Sequence, residues 1–517
     1  MGTRHMPRLV PTLLPIALLL IPVVDAQGQA ALQNLRFEIK DVVGQAMPCR
    51  IHLTGSAGKP QQAPGLPFWF DHFVCDGKAS LQLVPGRYQY QIERGPEYKP
   101  VSGSVELGAS QDESLSIQLN RTADLARDGW FSGDLHVHRP LKELDLLMQA
   151  EDLHIAPVIT WWNRTNAWAG QEIPSTLLHR VEGQRFYHIM AGEDERNGGA
   201  LLFFGLRRPL DIARATREYP SAMKFISDAR RLEPGAWIDV EKNFWWDVPL
   251  WLASGQVDSI GVANNHMQRS GMRADEAWGR PRDRQRLPDP LGNGFWTQEI
   301  YYHILNCGLR LAPSAGSASG VLPNPVGYNR VYVHVDGALD YERWWRQLKA
   351  GRCFVTNGPL LLCKAEGELP GHVFRGGSGQ RLDLKLAMSL ISHDRVRRIE
   401  IIKNGRMDST IRADDVPQQQ RTGGVSFTES GWFLVRAIAD NPRTFRFASS
   451  APFYVEVGEQ KQRISRNSAQ FFVDWVIERE KQIRAKIQSP DELREVVAYH
   501  ESARRYWQDL VKRANAE

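Results

Sequence analysis

The chain has 517 residues, 42% of them hydrophobic, with 64 basic and 59 acidic side chains and a formal net charge of +5. At roughly 100 to 200 residues per domain that is enough for three or four globular units, and so balanced a charge supplies no field that would draw the chain to nucleic acid. Five cysteines are too few for a disulfide framework and, without any C-x-x-C spacing, too scattered for a zinc-thiolate site.

Residues 1–26 carry Arg4 and Arg8, then the 16-residue run "LVPTLLPIALLLIPVV", then "VDA". This reads as a signal peptide cleaved near Ala26, which makes the protein exported, periplasmic or extracellular. The run is interrupted by Pro11, Pro15 and Pro22 and is short of the roughly 20 residues a membrane span needs, so no stable span is expected after cleavage. From 27 to 124, period-two stretches such as "LRFEIKDVV", "CRIHLTG" and "SLQLVPGRYQYQIERG" alternate with Gly and Pro turns, the pattern of a β-sandwich. Cys49 and Cys75 lie close enough within it to pair.

Between 125 and 357 the rhythm changes. Short apolar strands, "GDLHVH", "IAPVITWWN", "FYHIMAGEDE", "ALLFFGL", "GAWIDVEK", "SIGVANNH" and "RLAPSAGSAS", alternate with helical stretches such as "LKELDLLMQAED", "SAMKFISDARRL", "TQEIYYHILNCG" and "YERWWRQLKAG". That alternation predicts a mainly parallel sheet, open or closed into a barrel. Residues 358–457 return to β-rich sequence and a second small sandwich. In 458–517 a helical tail is expected, with "SPDE" at Ser489 to Glu492 as its internal helix start. The fold class is therefore a multidomain α/β plus β protein.

Six of the seven central strands end on their C-terminal side in polar residues: His138, Asn163, Glu193 to Glu195, Glu241, His266, and Ser317 with Ser319. In βα barrels those ends converge on one face, where the chemistry sits. His136 and His138, at i and i+2 on one strand, present both imidazoles to one side and can reach one cation. Asp134, two residues earlier, is placed to orient a histidine. Glu193 is the natural third ligand, and Asp194 and Glu195 read as surface loop. His266 is either a fourth ligand or a hydrogen-bonded structural histidine. Asp239 and Glu241 share one strand face, where ligand, general base and ion-pair roles stand about equal, and Lys242 points away or pairs locally. The implied cofactor is one divalent ion, zinc, manganese or iron.

Twelve of the 16 tryptophans fall between Trp130 and Trp345. Most are core, but Trp161, Trp162, Trp245 and Trp246 adjoin polar strand ends and, with Asn163, are placed to wall an aromatic or sugar substrate. The stretch 268–286 carries six arginines, among them Arg280 and Arg282, suited either to an anionic small-molecule substrate or to pairing within the loop.

The stretch "GWFSGDLHVH" opening the strand-helix-strand that follows, together with "AGEDE" and the flanking β domains, resembles the PHP (polymerase and histidinol phosphatase) superfamily, in particular its carbaryl-hydrolase-like metallohydrolases. The resemblance covers about residues 125–455 and implies a distorted seven-stranded βα barrel that hydrolyses an ester, carbamate or phosphoester with metal-activated water. This chain departs from the family pattern at Thr160-Trp161-Trp162-Asn163, where Thr-Asp-His-Asn is usual, at "IDVEK" in place of a His-Pro, and at Ser317-Ala318-Ser319 in place of a closing Asp-x-His. The reduced set leaves His136, His138, Glu193 and His266 for one metal, with Glu241 or Asp239 as base. The alternative is a non-catalytic barrel that binds a carbohydrate or other small ligand through its tryptophans.

Overall fold

The computed structural model describes residues 31–413 and 421–517; the expected signal peptide at 1–26 lies outside the described residues. The molecule is multidomain and mostly β, with seven α-helices among the described residues.

The first domain packs a five-stranded sheet, whose central strand is Cys49–Gly55, on a three-stranded one formed by Lys78–Leu83, Gln33–Lys40 and Glu113–Gln118. Strict alternation drives the packing. Lys78–Leu83 reads exposed, buried, exposed, buried along its length, and Leu35, Phe37 and Ile39 meet Ile51, Leu53, Phe73 and Ile92 between the sheets. Each such side chain contributes about 1.5–3 kcal/mol by leaving water. Cys49 and Cys75 are register partners on adjacent antiparallel strands with their thiols 3.8 Å apart, and both are free.

Seven strands follow and close on themselves: β1 (Trp130–Gly133), β2 (Ile155–Trp162), β3 (Arg185–Arg196), β4 (Gly199–Phe204), β5 (Trp237–Val240), β6 (Ser259–Ala263) and β7 (Ala312–Ala315). Beyond Gly133 the chain of β1 runs on extended and completes the ring: Leu135 N–H donates to Ala315 O (3.0 Å), and Val137 bridges both Val158 and Ser319. Helices α1 (Leu144–Ala150), α2 (Ala222–Leu232), α3 (Val248–Ala253) and α4 (Gly292–Asn306) lie between strands. The short α3, with proline in its first turn, escapes a periodicity reading. Between β2 and β3 the chain adds a strand, Leu178–Val181, rather than a helix.

The expectation of a mainly parallel sheet needs one correction. β4 is antiparallel to both β3 and β5, because only Asn197 and Gly198 separate it from β3 and a parallel return needs a crossover of about a dozen residues. Gly199 turns at φ +117°, and a Cβ there would lie 2.3 Å from Trp245. "ALLFFGL" is also the strand that lacks a polar C-terminal end; its C-terminus lies at the opposite rim.

β8 (Arg330–His334) pairs with β1, and β9 (Cys353–Thr356) pairs with both β8 and Phe447–Ser450. The barrel sheet thus runs into the third domain, where Leu361, Leu386 and Val425 of a three-stranded sheet pack against Ile399, Phe433 and Phe453. Helix α5 (Tyr341–Lys349) follows β8 and buries Trp344. The chain ends in α6 (Arg466–Lys486) and α7 (Pro490–Lys512), the latter capped by Ser489 Oγ accepting from Glu492 N–H. The pair docks on the barrel through Trp507 Nε1, which donates to Pro249 O at 2.9 Å, and through buried Arg479 on Asp247 and Glu218, 2.7 Å each.

Candidate metal centre

Along the extended continuation of β1, Leu135 and Val137 enter the core at 0% exposure. His136 and His138 therefore face the other way, toward the rim where β3 ends. On β3 the same alternation turns Glu193 and Glu195 inward and Asp194 outward onto Arg196, 2.7 Å away. The result is a tight group: His136 Nε2 and His138 Nε2 lie 3.0 Å apart, and Glu193 Oε2 lies 3.2 Å from His138 Nε2 and 3.5 Å from His136 Nε2. All three side chains are buried.

The donor set fits a divalent cation. His136 Nδ1 faces Glu241 Oε1 at 3.3 Å, so Nδ1 carries the hydrogen and Nε2 offers its lone pair inward, the arrangement that orients metal-binding imidazoles. Two imidazole nitrogens and a carboxylate oxygen suit zinc, manganese or iron(II). Without such an ion the charges pair directly. Burial opposes an imidazolium at His136, but Glu193 and Glu241 outweigh it and push the group up to about 10. Burial likewise opposes the Glu193 carboxylate, and His136 and His138 outweigh it to hold Glu193 well below the usual carboxylate range. Metal binding must therefore displace a proton.

The group opens on a cavity of about 250 Å³ walled by Trp162, Trp245 and Trp278 and bordered by Glu195, Lys242, Asn265, His266 and Arg273. Trp162 stands edge-on to His138, ring centroids 4.9 Å apart.

Several expectations change. Asp134 does not orient an imidazole: its carboxylate accepts the backbone N–H groups of His136 (3.0 Å), Ser317 (3.0 Å) and Gly327 (2.7 Å), pinning the strand to the loop after β7. Glu241 takes the orienting role instead and is no free base, since its second oxygen accepts from Lys242 Nζ and from Trp245 Nε1 (3.2 Å). Asp239 lies deeper, hydrogen-bonded to Ser259 Oγ and away from the cavity; burial pushes it up to about 6 against the pull of that hydroxyl. His266 borders the cavity but stands outside the three-residue group, and burial, with Lys242 and Arg273 nearby, keeps it neutral.

Trp161 turns into the core, its indole lying on Gly192 and stacked on Phe203. Trp246 is a partly buried neighbour of the barrel core. Asn163 Oδ1 accepts from Glu195 N–H (3.0 Å) and so shapes the rim. Arg280 stacks on Phe471 and pairs with Glu478, holding α6. Arg282 is fully buried on Glu276 and Asp289. Both arginines are spent on structure.

Sequence reasoning missed Glu195, Lys242 and Trp278 as cavity residues, and placed Arg273 among the arginines of 268–286 without singling it out. Glu195 was legible, being two residues from Glu193 on the same strand face; burial and the charges of Glu193 and Glu241 push it up to about 7. Lys242 pairs locally, as one expectation had it, but borders the cavity rather than pointing away. Trp278 and Arg273 sit on a long loop that carries no periodic signal.

A second group able to hold a metal by proximity, His52, Asp71 and His72, lies in the first domain. Two arginines crowd it. Asp71 lies 3.3 Å from His52 Nδ1 and 2.9 Å from His72 Nδ1, Arg50 Nε donates to His52 Nε2 (3.0 Å), and Arg269 lies 3.7 Å from Asp71. Two guanidinium groups at that range disfavour a cation.

No family model and no curated protein matches the chain. The CARDB domain of a Pyrococcus furiosus protein, solved in solution, is 16% identical over 20% of this chain and 96% of its own, at a TM-score of 0.15. The same domain crystallised with di-metal ions is 14% identical over 20% of this chain and 90% of its own, at 0.14. A β-glucosidase from Listeria innocua in complex with glucose is 10% identical over 67% of this chain and 40% of its own, at 0.14. Likenesses this faint carry no inference about chemistry.

Proposed function

We propose that the protein is an exported, metal-dependent hydrolase of the PHP type, cleaving an ester, carbamate or phosphoester of a small molecule with one zinc, manganese or iron ion. The observation that carries the reading is the convergence of His136 Nε2, His138 Nε2 and Glu193 Oε2 within 3.5 Å of one another beside a tryptophan-walled cavity. A divalent ion there would act as a Lewis acid on the substrate and lower the pKa of water.

The chain's own residues supply the rest. His136, His138 and Glu193 bind the ion, and Glu241 fixes the tautomer and tilt of His136. Glu195 borders the cavity beside the same group and is placed to take a proton from water and return it to a leaving group. Trp162, Trp245 and Trp278 narrow the cavity, exclude water and hold an apolar or sugar face. The fold reading that accompanies this proposal is a PHP-like barrel of β1 to β7.

Metal analysis of purified protein is the test. The expected result is close to one zinc, manganese or iron per chain, lost in His136→Ala and His138→Ala together with hydrolysis of aryl esters, carbamates or phosphodiesters. Protein that takes up none of these ions, and whose thermal stability ignores them, would sink the proposal and favour a ligand-binding barrel that uses the same tryptophans.

A further inference from the structure

Lys242 is the next residue after Glu241 and leaves the barrel at the same rim. Its side chain is 3% exposed, and it borders the cavity beside the His136, His138 and Glu193 group. An ammonium carries three N–H donors. Among the described residues Lys242 Nζ has one acceptor, Glu241 Oε2, and the ring of Trp245 lies 4.3 Å away on another side. At least one N–H of a buried charged group is thus left without an acceptor among the described residues, at the edge of this cavity. A buried donor of this kind is costly to leave unmade, so the arrangement is complete only with an acceptor in the cavity.

We propose that Lys242 is the substrate-positioning residue of the cavity, donating a hydrogen bond to a substrate oxygen that is anionic or becomes so during the reaction. The proposal rests on the hydrolase reading above and deepens it: the site takes a compact oxyanion between a metal-binding group and a fixed ammonium, with tryptophan walls for the remainder of the substrate. Arg273 is the other cavity cation, but its side chain is 43% exposed and its Nε is spent on Asp275 at 3.1 Å. It lacks the buried, pre-set position that makes an ionic hydrogen bond strong. Lys242 has a second job in countering the charge of Glu241, and the test must separate the two.

Inorganic phosphate is the probe, titrated calorimetrically into the full chain as wild type, Lys242→Met and Lys242→Arg, with metal content measured on the same samples and the titration repeated after chelation. Lys242→Met is expected to weaken phosphate binding at least tenfold with no loss of bound metal, and Lys242→Arg to restore it to within a few-fold of wild type. Wild-type protein that does not bind phosphate overturns the assignment. So does Lys242→Met binding it as wild type does, and so does parallel loss of metal and phosphate in Lys242→Met, which would leave Lys242 as a support for Glu241 alone. If the wild type binds no metal yet its metal-free phosphate affinity still falls in Lys242→Met and returns in Lys242→Arg, the hydrolase reading fails and the anion site stands.

Discussion

Glu241 and Asp134 both lie next to the histidine pair, and the structure gives them opposite tasks that substitution can separate. Glu241 Oε1 meets His136 Nδ1 at 3.3 Å in a fully buried setting. Replacing an orienting carboxylate of this kind costs about 10- to 100-fold in metal affinity, or roughly 1.4–2.7 kcal/mol. Glu241→Gln keeps the volume but removes the charge and puts an amide nitrogen near either His136 Nδ1–H or Lys242, so metal affinity is expected to fall by that factor. Asp134 instead accepts three backbone N–H groups, two at Oδ1 and one at Oδ2. In Asp134→Asn one oxygen becomes a donor facing Gly327 N–H, a buried mismatch of about 1–3 kcal/mol, with metal affinity within a few-fold of wild type. Chelator competition measures the first quantity and urea unfolding of the metal-free protein the second. Asp134→Asn lowering metal affinity more than Glu241→Gln, with both variants folded, would refute these two assignments.

Other outcomes follow from the same geometry. A Cβ at Gly192 would sit 1.9 Å from the Trp161 indole, so Gly192→Ala is expected to cost about 3 kcal/mol by overpacking, and Gly192→Ala with Trp161→Ala less than the sum of the two singles in a double-mutant cycle. Arg479→Met leaves Asp247 and Glu218 without the guanidinium that pairs them; about 3 kcal/mol is expected, read as early protease cleavage around α6 and α7 with the barrel intact. His154 Nδ1 accepts from Ser132 N–H at 3.3 Å, and burial, opposed by Asp152 and helped by nearby arginines, holds its imidazolium down to about 4. A folded pKa below the unfolded 6.5 gives stability that is complete above pH 6.5 and drains as pH falls toward 4, by about 3 kcal/mol in all. Urea midpoints at pH 7.5 and 4.5 should therefore converge in His154→Asn by that amount, and an unchanged pH dependence would remove His154 from the account.

Much of this was legible in the chain because burial imposes a period on strands. Six of the seven apolar stretches contain a strand, in the expected order, since each alternates or runs apolar over a strand's length; the first, "GDLHVH", instead runs on from a strand that ends at Gly133 and pairs through Leu135 and Val137. What escaped had no period to show. The reversal of β4 depends on a two-residue turn followed by Gly199 at φ +117°, and α3 is six residues long. At the site, residue types were easier to read than their directions. Adjacent tryptophans on β2 face opposite ways, so Trp162 reaches the cavity and Trp161 the core, and nothing in "TWWN" says which. Arg280 could be read as a substrate group because its partner Glu478 lies far along the chain on α6, whereas Arg282 pairs with Glu276 and Asp289 close by in sequence, the other role its loop suggested.

On the proposed metallohydrolase reading, the positions where ligands of a larger metal set would be expected favour one ion over several at this rim. Trp161 is packed under Gly192 and cannot turn inward without emptying core space beside Phe203. Ser317 is tied to the loop beyond β7, its hydroxyl accepting from Asn329 N–H at 2.9 Å. On the opposite wall, the strand end that offers Glu241 also offers Lys242, so a fixed positive charge borders the space a second cation would enter. A second divalent ion would meet that ammonium across a low-dielectric gap, where like charges repel far more than in water. Substituting Lys242 by a neutral side chain therefore removes a barrier as well as a donor. Extra metal taken up by Lys242→Met beyond the wild-type stoichiometry is the signature expected if the ammonium stands in for a second ion, and unchanged stoichiometry at saturating metal would show that the missing ligands alone set the number.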